Sequence, residues 1–160
     1  MEFSRRTLLS AIGFSGLGRI VQANTDTADM IVVFKQSRRL VLYNNGQPIR
    51  DYKIGLGWAP EGDKSVEGDG RTPEGSYYID RRNPRSAFHL SLGISYPDPE
   101  QIKAARAQGR DPGGDIFIHG GQGLPRQRGD WTAGCIAVSN REIEEIWQLV
   151  PDGALVVIQP

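Results

Sequence analysis

Apolar residues along this chain fall in short runs separated by turn residues, a pattern that predicts many short strands. Residues 30–34, Met30-Ile31-Val32-Val33-Phe34, form an unbroken apolar run of strand length. Residues 40–43 and 47–54 flank Asn44-Asn45-Gly46 and predict a hairpin, because Asn and Gly tolerate the positive φ of a tight turn. Residues 75–80 and 88–94, bracketed by Pro73 and Pro97, read as two more strands. Residues 116–118 make a short buried strand that delivers His119 to its end. Residues 53–70, rich in glycine and charge, read as a loop over one face.

Two segments switch to a helical period. Asp98 caps a helix that has Pro99 at its first position, residues 100–108 as its body and Gly109 as its stop. Ser139 and Glu142 form a capping box, and Ile143, Ile146, Trp147 and Val150 then recur at helical spacing. Pro151-Asp152-Gly153 ends that helix, and residues 154–158 close the chain with a strand. The sum is a mainly β fold with short helices, of β-sandwich or barrel-like build.

The N-terminus departs from this pattern. Ser4-Arg5-Arg6-Thr7-Leu8-Leu9 is a twin-arginine pattern ahead of a weakly apolar stretch over residues 8–21. Val21-Gln22-Ala23 supplies small residues where a signal peptidase reads. Residues 1–23 are therefore expected to be an export signal, by the twin-arginine or the Sec route. Residues 24–160 are expected to be one domain working in the periplasm or cell wall. No later apolar run suggests a membrane span. The whole chain carries nineteen basic and nineteen acidic residues, and residues 24–160 keep sixteen and eighteen. That balance excludes the dense basic face a nucleic-acid partner needs.

Candidate chemistry centres on the single cysteine, Cys135, which lies downstream of Ile118-His119-Gly120-Gly121 in a chain with two histidines. A thiol becomes a strong nucleophile when an imidazole takes its proton. Thr132-Ala133-Gly134-Cys135 adds small residues and backbone N–H groups suited to an oxyanion. Together they point to thiol acyl transfer. One cysteine and two histidines give no zinc-ligand spacing, so no metal or other cofactor is expected.

His119-Gly120, an intervening loop and Thr132-Ala133-Gly134-Cys135-Ile136 resemble the active-site signature of the L,D-transpeptidase catalytic domain. Gly68-Asp69-Gly70-Arg71-Thr72-Pro73-Glu74-Gly75 is similar to a recurring loop of that family, and residues 88–97 to its central region. The resemblance implies a β-sandwich-like catalytic domain acting on peptidoglycan stem peptides. By it, Cys135 is the nucleophile, His119 the base and later acid, and the Gly120 carbonyl the group that orients the imidazole. The N–H groups of Gly134 and Cys135 are the implied oxyanion donors, and Thr132 shapes the loop where substrate binds. Many members carry Ser-His-Gly-Cys-x-Arg, whereas this chain has Ala133 and Ala137 in place of that histidine and arginine.

Substrate contacts are then expected elsewhere. Arg126 and Arg128, between His119 and Cys135, either bind a substrate carboxylate or are solvated loop charges. Alternation after Phe88 puts His89 on a polar face, lining the cleft or making a structural hydrogen bond, and Tyr96 has the same two roles open. Trp131 is expected to pack under the catalytic loop, with Asp130 and Asp115 ordering loops nearby.

Three functions fit these residues. The first is a peptidoglycan L,D-transpeptidase, which forms a thioester with the third stem residue, releases D-alanine and transfers to an amine, including one on a wall protein. The second is an L,D-carboxypeptidase or endopeptidase using water on the same thioester. The third is a wall-binding module without turnover.

Overall fold

The computed structural model describes residues 27–125 and 127–160, so the expected export signal and Arg126 lie outside the described residues. The apolar runs pair into one ladder. Strands β1 (Met30–Phe34), β2 (Arg39–Asn44) and β3 (Gln47–Lys53) form an antiparallel meander. Its second turn is the expected hairpin, with Asn45 and Gly46 at φ of 49° and 75°. The closing strand β8 (Leu155–Gln159) runs parallel to β1 on the other side.

Strand β4 (Gly75–Ser86) changes partners along its length and so bends the sheet. Its first half pairs with β8 and its second with β5 (His89–Ile94), with register shifts between Ile79 and Arg81 and again between Asn83 and Ser86. Such bulges increase twist and turn a strand from one packed layer into the next. Beyond β5 come β6 (Phe117–His119) and the two-residue β7 (Ile136–Ala137), giving the order β3-β2-β1-β8-β4-β5-β6-β7. Bridges from Gly55 to Ala137 and from Gly57 to Thr132 then join the segment after β3 to the far edge. The expected sandwich or barrel-like build thus arises from one bent sheet whose edges meet.

β4 runs six residues past its expected end, through Arg81-Arg82-Asn83-Pro84-Arg85-Ser86. The charged side chains there behave as amphipaths. The Arg81 guanidinium lies 4.7 Å from the Phe117 ring centre and that of Arg82 4.7 Å from Trp147, so their stems cover apolar surface.

Among the described residues two short helices complete the fold. Helix α1 (Pro99–Ala107) has Asp98 as N-cap and Gln101 completing a capping box. Helix α2 (Asn140–Leu149) has the expected Ser139–Glu142 box and buries Ile143 and Ile146 against β5 and β6. Each such fully buried aliphatic contributes about 1.5–3 kcal/mol. They join Ile31, Leu42, Ile79, Leu92, Ile118, Ile136 and Val156 in a continuous core. No described helix is long and apolar enough to cross a membrane.

Candidate active site

The register of β6 against β7 builds the site. Ile118 pairs with Ile136 and His119 with Ala137 in parallel, so the pleat sends both isoleucines into the core. Cys135, one residue before β7, falls opposite Phe117 and on the face that carries His119. Cys135 and His119 accordingly line one cavity of about 300 Å³, together with Ser86, Phe88, Ser91 and Phe117.

His119 is 2% exposed and held on three sides. Its Nδ1 lies 2.6 Å from the Gly120 carbonyl oxygen. A carbonyl can only accept, so Nδ1 carries the proton and Nε2 keeps its lone pair. The Phe88 ring stacks on the imidazole with centres 4.5 Å apart, and Trp131 meets it edge-on at 5.7 Å. Gly120 must be glycine here: a Cβ would lie 2.7 Å from both the Phe88 carbonyl oxygen and the Asn140 Oδ1. Burial pushes the His119 pKa below its ordinary value, against the raising effect of the Gly120 hydrogen bond.

The loop before Cys135 is tied by Thr132, which is buried. Its Oγ1 donates to the Cys135 carbonyl at 2.7 Å and accepts from the Gly134 N–H at 3.1 Å. This corrects one expectation. The Gly134 N–H is engaged within the loop rather than offered to an oxyanion, which leaves the Cys135 N–H as the expected donor. Thr132 shapes the loop as expected, and it lines neither cavity beside the thiol. The thiol is itself half-buried and donates to the Asp115 carbonyl at 3.5 Å. Burial raises its pKa above the ordinary thiol value; the Phe117 backbone N–H, Lys64 and Arg81 work in the opposite sense.

The other expected substrate residues mostly lie elsewhere. His89 has φ of 74°, so the alternation assumed for it breaks at the turn. Its Nε2 pairs with Glu144 at 2.6 Å, and it lines a separate small cavity with Leu124 and Asn140. Tyr96 is buried in the core, donating to the Pro112 carbonyl at 2.8 Å and meeting Tyr77 edge-on. Arg128 is exposed and lines neither cavity at the thiol. Asp130 orders its loop, accepting from the Arg38 guanidinium and from the Leu56 N–H at 3.0 Å. Trp131 packs as expected and donates to Gln122 at 2.5 Å.

Sequence reasoning missed Phe88, whose neighbour His89 drew the attention, and Lys64, hidden in a charged loop. A second cavity of about 240 Å³ also borders Cys135, lined by Lys64, Glu67, Gly68, Gly113, Asp115 and Ala133 among others. Among the described residues no three His, Cys, Asp or Glu side chains cluster as metal ligands.

A family model for the L,D-transpeptidase catalytic domain, YkuD, matches residues 28–158. The chain belongs to this family. YafK of Escherichia coli (strain K12) is 34% identical over 137 residues, covering 81% of the chain and 50% of YafK. The crystal structure of Pgp2 from Campylobacter jejuni, a helical cell shape determining protein, is 31% identical with a TM-score of 0.64 and covers 84% of the chain and 48% of Pgp2. An L,D-transpeptidase structure from Xylanimonas cellulosilytica, 14% identical with a TM-score of 0.55, covers 86% of the chain and 63% of its own and shares the fold. The chain thus spans about half the length of the curated relatives it matches.

Proposed function

We propose that this domain is a cysteine acyltransferase acting on peptidoglycan stem peptides. Cys135 Sγ attacks the carbonyl carbon of the third stem residue while its proton passes to His119 Nε2. The tetrahedral oxyanion is held by the Cys135 N–H. Collapse breaks the peptide bond, and the departing D-alanine amine takes the proton back from His119. An acceptor amine, on a second stem or on a wall protein, then attacks the thioester. His119 receives the amine's proton and returns it to sulfur as the new amide forms.

The observation that carries this reading is the shared cavity. The thiol and an imidazole whose Nδ1–H is fixed on the Gly120 carbonyl line the same space. A second cavity also borders Cys135, and on this reading donor and acceptor take the two cavities in turn. The orienting carbonyl does for His119 what an aspartate does in other triads.

Incubating residues 24–160 with purified disaccharide-tetrapeptide, and resolving products by mass spectrometry, tests the reaction. Cross-linked dimers with loss of D-alanine are expected, and Cys135→Ala is expected to give none. Tripeptide without dimer would make water the acceptor. Absence of product together with a Cys135 that resists alkylation would favour a binding module. The same reading sets the domain outside the cytoplasm, with residues 1–23 as its export signal. A reporter fused behind residues 1–30 should be exported, and replacing Arg5 and Arg6 with lysine should stop it; a cytoplasmic reporter refutes the signal, and unchanged export of the lysine variant reassigns it to the Sec route.

A further inference from the structure

We propose that Lys64 is the carboxylate-reading residue of the cavity of about 240 Å³ beside Cys135, an assignment that rests on the acyl-transfer reading above. Lys64 is the one cationic side chain among the residues that line this cavity, and Arg128 does not reach it. Lys64 is 4% exposed and lines the same cavity as Cys135.

Its ammonium has three protons. Two have protein acceptors, the Asp69 Oδ1 at 2.9 Å and the Val66 carbonyl at 3.1 Å. No described residue accepts the third, which on this proposal is the one a ligand takes. Asp69 is a shared acceptor, taking also the N–H groups of Ser65, Val66 and Arg71. Burial raises the Asp69 pKa, yet those bonds together outweigh it, hold the carboxyl at about 2 and fix the loop that carries Lys64. The lysine is therefore pre-positioned, so little rotamer entropy is lost on binding. Ala133, where many members have histidine, leaves only a methyl group on the same lining.

The other nearby charges do not compete for an anion. Arg81 is taken up by Asp80 at 2.7 Å, by Asp115 at 3.4 Å and by the Phe117 ring. Glu67 and Asp115 are exposed carboxylates on the cavity lining, suited to an ammonium rather than to an anion. One buried cation with two exposed carboxylates complements a zwitterionic group. The proposed stem substrate carries two candidate carboxylates, that of the terminal D-alanine and that on the diaminopimelate side chain.

Binding to a Cys135→Ala background separates this proposal from turnover. Affinities would be measured for disaccharide-tetrapeptide with both carboxylates free, with the D-alanine amidated, and with the diaminopimelate carboxylate amidated. Lys64→Met on that background is expected to weaken the free donor by about 10–100-fold, the range for a lost charge-assisted hydrogen bond. It should leave affinity for one amidated donor unchanged, and that donor identifies the carboxylate. Lys64→Arg should retain the preference for the free donor, and guards against a merely unfolded Lys64→Met. Equal weakening of all three donors, or no binding by any form, overturns the assignment. Neither result touches wild-type cross-linking, which is measured separately.

Discussion

Cys135→Ala should abolish acyl-enzyme formation, and His119→Gln should slow it by about 10³–10⁶-fold, as nucleophile and base act as one unit. The residual rate belongs to oriented binding and the oxyanion donor. The pH dependence separates this site from one with a preformed thiolate–imidazolium pair. Burial moves both groups toward neutrality: the thiol loses its proton only above its ordinary range, and the imidazole gains one only below its own. Neutral thiol and neutral imidazole therefore coexist across neutral pH, and charge separates only as the substrate carbonyl is attacked. Turnover should be flat through neutrality. It should fall on the acid side below the ordinary imidazole value, where Nε2 is protonated, and on the alkaline side above the ordinary thiol value. Alkylation by iodoacetamide, which needs the thiolate, should keep rising beyond that thiol value. Fast alkylation with a plateau at acid pH would mean an ion pair and overturn this account.

What could be read from the sequence is what local rules determine. The Asn45-Gly46 turn, the Ser139–Glu142 box and the Ile143/Ile146 stripe each depend on neighbours within four residues, and each appears where expected. The meeting of Cys135 with His119 was readable because two histidines and one cysteine leave few pairings. The remainder depends on tertiary packing. β7 is two residues long and exists through its pairing with β6, so it has no periodic signature. β4 continues through five charged or polar residues and a proline because distant aromatic rings receive two of its arginines. For His89 the sequence left a cleft position and a structural hydrogen bond both open, because alternation decides between them only in extended backbone. Tyr96 stayed open in the same way because a buried phenol with a carbonyl partner looks, in sequence, like one lining a cleft. Lys64 was invisible because nothing local distinguishes a buried lysine from its solvated neighbours Asp63 and Glu67.

Gly134→Ala should lower turnover by about 10²-fold, the scale for moving a reacting atom by about 1 Å. Two independent effects converge at this residue. Its φ of 136° is a conformation that residues with a Cβ rarely adopt. A Cβ would also lie 2.7 Å from the Arg71 carbonyl oxygen and 3.2 Å from the Ile116 Cδ1. The strand of chain it would strike cannot easily move away. The neighbouring Gly70 carbonyl accepts from the Ala59 N–H at 3.0 Å, and Thr72 Oγ1 accepts from the Gly57 N–H at 3.1 Å. Relief must therefore come from the Thr132–Cys135 loop, which shifts the thiol relative to His119. A loss of about 1–3 kcal/mol in stability should accompany the change. Gly153→Ala is the control. Its φ is 82° with nothing within 4 Å of an added Cβ, and it lies between α2 and β8, away from the thiol. It should lose stability by about 1–2 kcal/mol from backbone strain alone and keep its turnover. Thermal melting together with kcat for both variants distinguishes the effects. Equal turnover in the two would mean that the close packing of Gly134 against Arg71 does not position the nucleophile.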